Sequence, residues 1–421
     1  MASLNLRELS AASKIYFRGT ERTETPARTL ERIEGMLPAM GITRVANVTG
    51  LDKIGIPVVM TCRPNSRSLS VFQGKGVDLD AARASGVMEA IETYHGETIL
   101  NPLKLASYEE MRRGHSVLDA NTLPQSVENR FHHHRPMLWI EGYDLVQQRS
   151  VWVPHEVVHT DYSTGAPPGS GCFRISTNGL ASGNHLLEAI SYGLCEVIER
   201  DATTLWNFLD NPAKQETEID LGTVSDQLCL ELIDRCCQAG LSLRVWEATS
   251  DIGIPTYVAE LRERSSKRGA VWGKAAFGSG CHHARHIALL RAITEAAQAR
   301  TTFIAGARDD MSWEDYENDD GPALANRTGR AGEPAYRQFS AATSWSSDTI
   351  NDDLLWIMDR LSSVGLEQVI AVDLTKAEFE IPVARVIVPG LEGPDEHFSD
   401  YVPGARARAL VDVAAEVVRA S

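Results

Sequence analysis

Asn178-Gly-Leu-Ala-Ser-Gly-Asn184, continued by His185-Leu-Leu-Glu-Ala-Ile-Ser-Tyr-Gly-Leu-Cys-Glu-Val-Ile-Glu-Arg-Asp201, is the stretch whose reading decides the fold. A Gly/Ser/Asn loop gives way to about five turns of helical pattern, and Asn184 or Ser182 is suited to cap it. Wound at about 100° per residue with Glu188 at zero, Glu199 falls at about 20°, Asn184 at about −40° and Glu196 at about 80°. Leu186, Leu187, Ile190, Leu194, Val197 and Ile198 take the opposite side, the natural core face. The polar side therefore holds three carboxylates and an amide, on a helix whose single cation is Arg200. Alone, such a stripe is usually a solvated face.

Recurrence weakens that ordinary explanation. Residues 68–72 alternate as a strand and run into Gln73-Gly74-Lys75-Gly76, which reads as a tight glycine loop with a cation, before a helix over about 79–97. With Ser85 at zero, Glu89 and Glu92 lie at about 40° and −20°, opposite Val87, Met88, Ile91 and Tyr94. A third unit runs over 271–281 with Gly278 and Gly280, then a helix over about 285–304. There Arg291, Glu295 and Gln298 share a face opposite Leu289, Leu290, Ile293 and Ala297. Arg300 falls on the apolar side, so either this helix bends or Arg300 has a buried structural role. The three helices share a string in register, Met88-Glu89-Ala90-Ile91, Leu187-Glu188-Ala189-Ile190 and Leu290-Arg291-Ala292-Ile293. Converging carboxylates without a cation repel one another strongly. Magnesium is the cation expected, because it takes oxygen ligands and bridges carboxylates to substrate phosphates.

Composition limits the alternatives. The chain has 421 residues and a net charge of −16, which argues against general binding to nucleic acid or an anionic membrane. No N-terminal apolar run resembles a signal peptide and no window is long enough to span a bilayer, so the cytoplasm is the expected compartment. Seven cysteines without framework spacing are expected to be reduced. Cys281-His282-His283 with His286, and His132-His133-His134, lack the arrangements of a strong zinc motif. Walker A, G-x-G-x-x-G and GxSxG patterns are missing as well, so a nucleotide site here would be an unusual one.

Over roughly residues 15–400 the sequence resembles the YcaO family, whose members use ATP to activate peptide backbone amides. The resemblance rests on Ser85-x3-Glu89-x2-Glu92, on Asn184-x3-Glu188-x7-Glu196-x2-Glu199-Arg200, and on Arg291-x3-Glu295-x2-Gln298-x-Arg300. It implies magnesium held by Glu89, Glu92, Glu196 and Glu199. ATP would be bound by Arg22, Thr29, Lys75, Ser85, Asn184, Glu188, Arg200, Arg291, Glu295, Gln298 and Arg300. One departure stands out: the first motif usually closes with Glu-Arg, whereas Thr93 follows Glu92, and Lys75 could replace the lost cation. The fold implied is α/β (α+β), one YcaO-like domain over 1–421 with repeated strand, glycine loop and helix units around a nucleotide site. An insertion is expected at about 100–175 and a loop-rich excursion at about 309–351.

The stretches 55–70 and 304–310 are similar to the subgroup found beside a TfuA-like partner, which is associated with backbone thioamides. The resemblance thus implies thioamidation of a ribosomal peptide or protein with a TfuA-like partner, acting as a homodimer. Azoline formation by a cyclodehydratase is the alternative, although no Pro-x-Pro-x-Pro tail is present. A non-catalytic accessory role in modifying a translation-machinery substrate is a further one, as is a metal-dependent hydrolase that does not use ATP. The stretch before Thr25 is short for a winged-helix leader-binding domain, so peptide recognition is expected to use a partner or a surface groove.

Overall fold

The computed structural model describes residues 11–126, 129–163, 165, 167, 169–264, 275–308, 310–311, 336–393 and 401–410. Most of the expected excursion at 309–351, the start of the third unit at 271–274 and the apolar stretch at 411–421 lie outside the described residues. In chain order the helices are α1 (Pro26–Ile33), α2 (Leu79–Glu97), α3 (Tyr108–Gly114), α4 (Leu186–Asn207), α5 (Asn211–Gln215), α6 (Gln227–Gln238), α7 (Arg285–Ala305) and α8 (Ile350–Ser363). The strands that build the three main sheets are β1 (Arg44–Asn47), β2 (Val58–Cys62), β3 (Val71–Lys75), β4 (Leu103–Ala106), β5 (Met137–Asp144) and β6 (Arg149–Pro154). They continue with β7 (Leu180–Ser182), β8 (Leu241–Glu247), β9 (Thr256–Glu263), β10 (Ala276–Cys281), β11 (Ile370–Asp373) and β12 (Val383–Ile387). Among the described residues, no helix is long and apolar enough to cross a membrane.

The chain divides into two compact units. One unit comprises Met1–Lys14, Ile91–Phe208 and Ser347–Ser421; the other comprises Ile15–Ala90 and Leu209–Ser346. In the first, an antiparallel sheet has the order β4-β5-β11-β12-β7, with β6 paired to β5. Strands β4, β5 and β6, which the sequence placed in an insertion, are built into this sheet. Helix α4 packs on β12 and β7, and α8 packs on α4. In the second unit two antiparallel three-stranded sheets, β1-β2-β3 and β8-β9-β10, flank α7, which packs on β10 and β9. Its core joins Leu289, Leu290 and Ile293 of α7 to Val245, Tyr257 and Leu261 of the second sheet, and to Cys229 and Leu232 of α6.

The repeated unit has one plan. Strand passes to helix through a short link each time: Gly76 to Asp78 before α2, Gly183 to His185 before α4, and His282 to Ala284 before α7. Two local expectations change. His185, rather than Asn184 or Ser182, caps α4, its ring nitrogen accepting from the N–H of Leu187. Gln73-Gly74-Lys75 is strand rather than loop, and so are Gly278 and Gly280. Those glycines let helix backbone lie against strand backbone. A Cβ on Gly74 would stand 2.0 Å from the carbonyl oxygen of Ala82, and one on Gly280 would stand 2.2 Å from that of Ala288. Contacts that short cannot be relieved by turning a side chain.

A glycine replacement tests this plan. A Cβ at Gly278 would meet the Ala296 nitrogen at 2.2 Å, so Gly278→Val is expected to cost about 3 kcal/mol or more in urea unfolding. A Cβ at Gly35 would have nothing within 4 Å, and Gly35→Ala is expected to stay within about 0.5 kcal/mol of the parent.

Candidate functional site

Edge strands decide where the acids go. In each of the three sheets the strand that leads into a repeated helix, β3, β7 or β10, lies at an edge. An edge presents N–H and C=O groups with no strand to receive them. Helix side chains receive them here. The N–H and hydroxyl of Ser182 in β7 donate to Glu92 at 2.8 and 2.6 Å. The N–H of Gly179, just before β7, donates to Glu196 at 3.3 Å. In β10 the N–H and hydroxyl of Ser279 donate to Glu295 at 3.1 and 3.2 Å. In β3 the N–H of Lys75 donates to the Ser85 hydroxyl at 3.4 Å, and Gln298 donates to the Gln73 carbonyl at 3.3 Å.

The first unit carries Glu92 of α2 together with Asn184, Glu188, Glu196, Glu199 and Arg200 on and before α4. The acidic face is not the solvated stripe that a lone helix would suggest: Glu188 is 0% exposed and Glu199 5%. The amide of Asn184 reaches Glu188 at 3.5 Å. Next on the helix, Asp201 is fully buried and takes a two-pronged contact from Arg406 at 2.9 and 3.0 Å. Burial pushes the Asp201 carboxyl up to about 6 against the pull of Arg406. Carboxylate oxygens such as those of Glu92, Glu196 and Glu199 are the ligand type that magnesium prefers over softer metals. Glu89 stands one turn before Glu92 on α2 and is exposed; the boundary between the units falls between them, after Ala90.

The second unit carries the other expected residues. Lys75 pairs with Glu295 at 2.6 Å, both partly exposed. The Gln298 side-chain oxygen is buried with no hydrogen-bond partner among the described residues. Thr29 is buried on α1, and its hydroxyl donates to the Thr25 carbonyl at 3.1 Å. Arg22 makes a backbone bridge with Tyr16. Arg291 lies on α7 one turn before Glu295. For Arg300 the structure chooses the structural role: it is buried and holds Asp52 at 3.0 Å and Glu263 at 2.7 Å. Just before the N-terminus of α7, His283 meets Glu21 at 3.0 Å, and both are buried. Glu21, His282 and His283 are close enough to suggest a metal. However, the His282 ring nitrogen Nδ1 accepts from the Ala284 N–H at 3.1 Å, which makes Nε2 the protonated nitrogen of the neutral ring, with no lone pair to offer a metal.

Sequence reasoning also missed a motif. His155-Glu156-Val157-Val158-His159 spells HExxH, the zinc-protease string. Its geometry is different from a zinc site. His155–Val157 is one turn of 3₁₀ helix, and the His155 and His159 rings stack with centroids 4.7 Å apart and planes at 20°. Stacked rings point their lone pairs along parallel planes instead of at one ion. Glu156 is occupied by the N–H groups of Gly171, Cys172 and Phe173 at 2.5, 2.9 and 2.9 Å, so it ties down a loop and activates no water. The seven cysteines form no disulfide. Burial raises the thiols of Cys172, with Glu156 adding to it, of Cys229, and of Cys236, the last to about 12.

Fold and site together define a mixed helix and sheet protein with a buried, carboxylate-rich helix face. The family model described as "YcaO cyclodehydratase, ATP-ad Mg2+-binding" matches residues 73–392, and the chain belongs to the YcaO family. ATP and Mg2+ are the cofactors of that family. Among similar sequences is an uncharacterized protein in the tfuA 3′ region of Rhizobium leguminosarum bv. trifolii, 39% identical over 92% of each chain. An uncharacterized protein of Methanothermobacter thermautotrophicus is 34% identical over 87% of this chain and 94% of its own. Two solved structures share the fold at 21% identity. One is YcaO from Methanopyrus kandleri bound with AMPPCP and Mg2+, with a TM-score of 0.68 over 90% of this chain and 95% of that one. The other is a heterocyclase in complex with substrate and cofactor, with a TM-score of 0.75; it matches 97% of this chain, which spans only 56% of that longer protein.

The histidines give a pH prediction. Burial pulls His155 down to about 4, helped by His159, and burial likewise pulls His95 to about 4 against its 2.8 Å contact with the Ile91 carbonyl. Each is neutral in the folded protein and would protonate on unfolding near pH 6.5. Their contribution is therefore complete above pH 6.5 and is lost as pH falls toward 4, at most about 3 kcal/mol for each. Urea unfolding from pH 7 to pH 4 is expected to show that fall, and His155→Phe is expected to flatten part of it.

Proposed function

We propose that this protein activates a peptide backbone amide at the expense of ATP and that the product is a thioamide, made with a TfuA-like partner. The observation that carries the reading is the 39% identity, along 92% of both chains, to the protein in the tfuA 3′ region. The buried acidic face of α4 supports the ATP-dependent part of it.

In this reading Glu92, Glu196 and Glu199 hold Mg2+; a metal role for Glu89 rests on the motif resemblance alone. The edge of β7 keeps Glu92 and Glu196 in place through the N–H groups of Ser182 and Gly179. Asn184, Glu188 and Arg200 belong to the nucleotide side of the same helix. Roles for Arg22, Thr29, Lys75, Ser85, Arg291, Glu295 and Gln298 toward ATP rest on the motif resemblance. Arg300 is left out because Asp52 and Glu263 already hold it. When bound, ATP with Mg2+ supplies the phosphoryl group that turns an amide oxygen into a leaving group. The protein's part is positioning and neutralisation of charge, and no cysteine or serine nucleophile of its own is needed. The incoming nucleophile is then sulfide or a carrier of it. The family description as a cyclodehydratase favours azoline formation as the second reading, in which a substrate side chain takes that place.

Two measurements test this. Titration calorimetry with Mg2+ and ATP is expected to show binding that falls about 10-fold or more in Glu199→Gln, because a ligand charge is removed from a buried site. Absence of any ATP affinity in the unaltered chain would sink the proposal. Peptides co-expressed with this protein and a TfuA-like partner are expected to gain about 16 Da, oxygen exchanged for sulfur after activation by phosphoryl transfer. A loss of about 18 Da, which is water, would transfer the assignment to azoline formation after the same activation.

A further inference from the structure

In the unit that carries α4, a buried cation has guanidinium nitrogens with no hydrogen-bond partner among the described residues. Arg385 sits in the middle of β12, paired in register with Val372 of β11 and Leu180 of β7. It is 3% exposed, and its Nε and Nη1 are buried with no hydrogen-bond partner among the described residues. A buried guanidinium in that state is expensive, since charges taken out of water must be paired and hydrogen-bonded to be tolerated. Burial draws its pKa down to about 10, with Glu196 opposing, so it is still charged near neutrality. The other groups that feel its charge are Tyr162 and His159.

The surroundings limit what can complete it. Glu196 is the nearby acid; its carboxylate is anchored by the Gly179 N–H and makes no hydrogen bond to the Nε or Nη1 of Arg385. A water molecule would satisfy hydrogen bonds but not the charge. A bare anion would be repelled by Glu196, whereas an anion that brings its own divalent cation would set that cation on Glu196 and its negative oxygens on Arg385. Arginine's planar fork matches phosphate oxygens for the same purpose.

We propose that Arg385 is a phosphoryl-binding residue, which takes an oxygen of a magnesium-bound phosphate beside Glu196. The inference rests on the ATP-dependent reading above and names a residue outside its three sequence motifs. The phosphate has two possible sources, the terminal group of the nucleotide or inorganic phosphate, and the test separates them.

The test uses the full chain with Arg385→Met and Arg385→Lys. Thermal melting is measured without ligand, and calorimetry is run in Mg2+ with ADP and with a non-hydrolysable ATP analogue. Removing this buried charge is expected to leave the ligand-free melting temperature of Arg385→Met equal or higher. The same variant is expected to bind the analogue about 10-fold or more weakly and ADP within about 3-fold, with partial recovery in Arg385→Lys. Stabilisation of the parent protein by Mg2+ and inorganic phosphate alone, lost in Arg385→Met while analogue binding is kept, assigns the site to free phosphate. A lower melting temperature in Arg385→Met with both ligands unaffected makes Arg385 a structural cation and overturns the proposal, as do equal losses for ADP and the analogue. If the unaltered chain binds no magnesium triphosphate, the ATP-dependent reading fails first; if it does and Arg385→Met binds every ligand equally, only this inference fails.

Discussion

Carboxylates on helices received by the N–H groups of edge strands are the constraint on which this structure turns. An edge strand exposes donors, and an acidic helix face repels itself; placed together, each supplies what the other lacks. Ser182 and Gly179 do this for Glu92 and Glu196, and Ser279 does it for Glu295. The contact requires helix and strand to approach more closely than side chains permit, which is why Gly74, Gly278 and Gly280 stand in the strands. The glycines and the acids are thus parts of a single device. A larger residue in the strand would move the helix away, and the carboxylate would lose the donor that orients it.

Much of this was legible in the sequence because it is periodic. The boundaries of α2, α4 and α7 follow from apolar spacing, and residues assigned to the core face, such as Leu187, Ile190, Leu194, Leu290 and Ile293, are buried. What the sequence could not show is the depth of the polar face. Glu188 and Glu199 have the spacing of a solvated stripe, and tertiary packing puts them inside. The glycines misled for a related reason. In sequence a glycine cluster signals a turn, whereas here its value lies in the missing Cβ and not in backbone freedom. Arg385 was invisible because it sits in an apolar run, Val383–Ile387, where a single cation interrupts the pattern without any spacing to mark it.

Two polar groups show how a string and a site can part. His155 to His159 has the letters of a zinc motif, but a 3₁₀ turn replaces the α-helix that would aim both imidazoles at one ion. Arg300 has the place of a nucleotide ligand in the third motif, yet the far side of α7 gives it to Asp52 and Glu263. In both cases the deciding fact is direction rather than identity: the residue type fits the chemistry, and the backbone points it elsewhere.

The buried thiols have a consequence for sulfur handling. Cys172, Cys229 and Cys236 are held as neutral thiols by their surroundings, and a neutral thiol is a poor nucleophile toward a persulfide or a disulfide. A protein working beside activated sulfur, as the proposed function requires, would be exposed to capture of that sulfur by its own side chains. Burial keeps these three chemically silent, so sulfur delivered by a partner would pass to the peptide without an internal competitor at those positions.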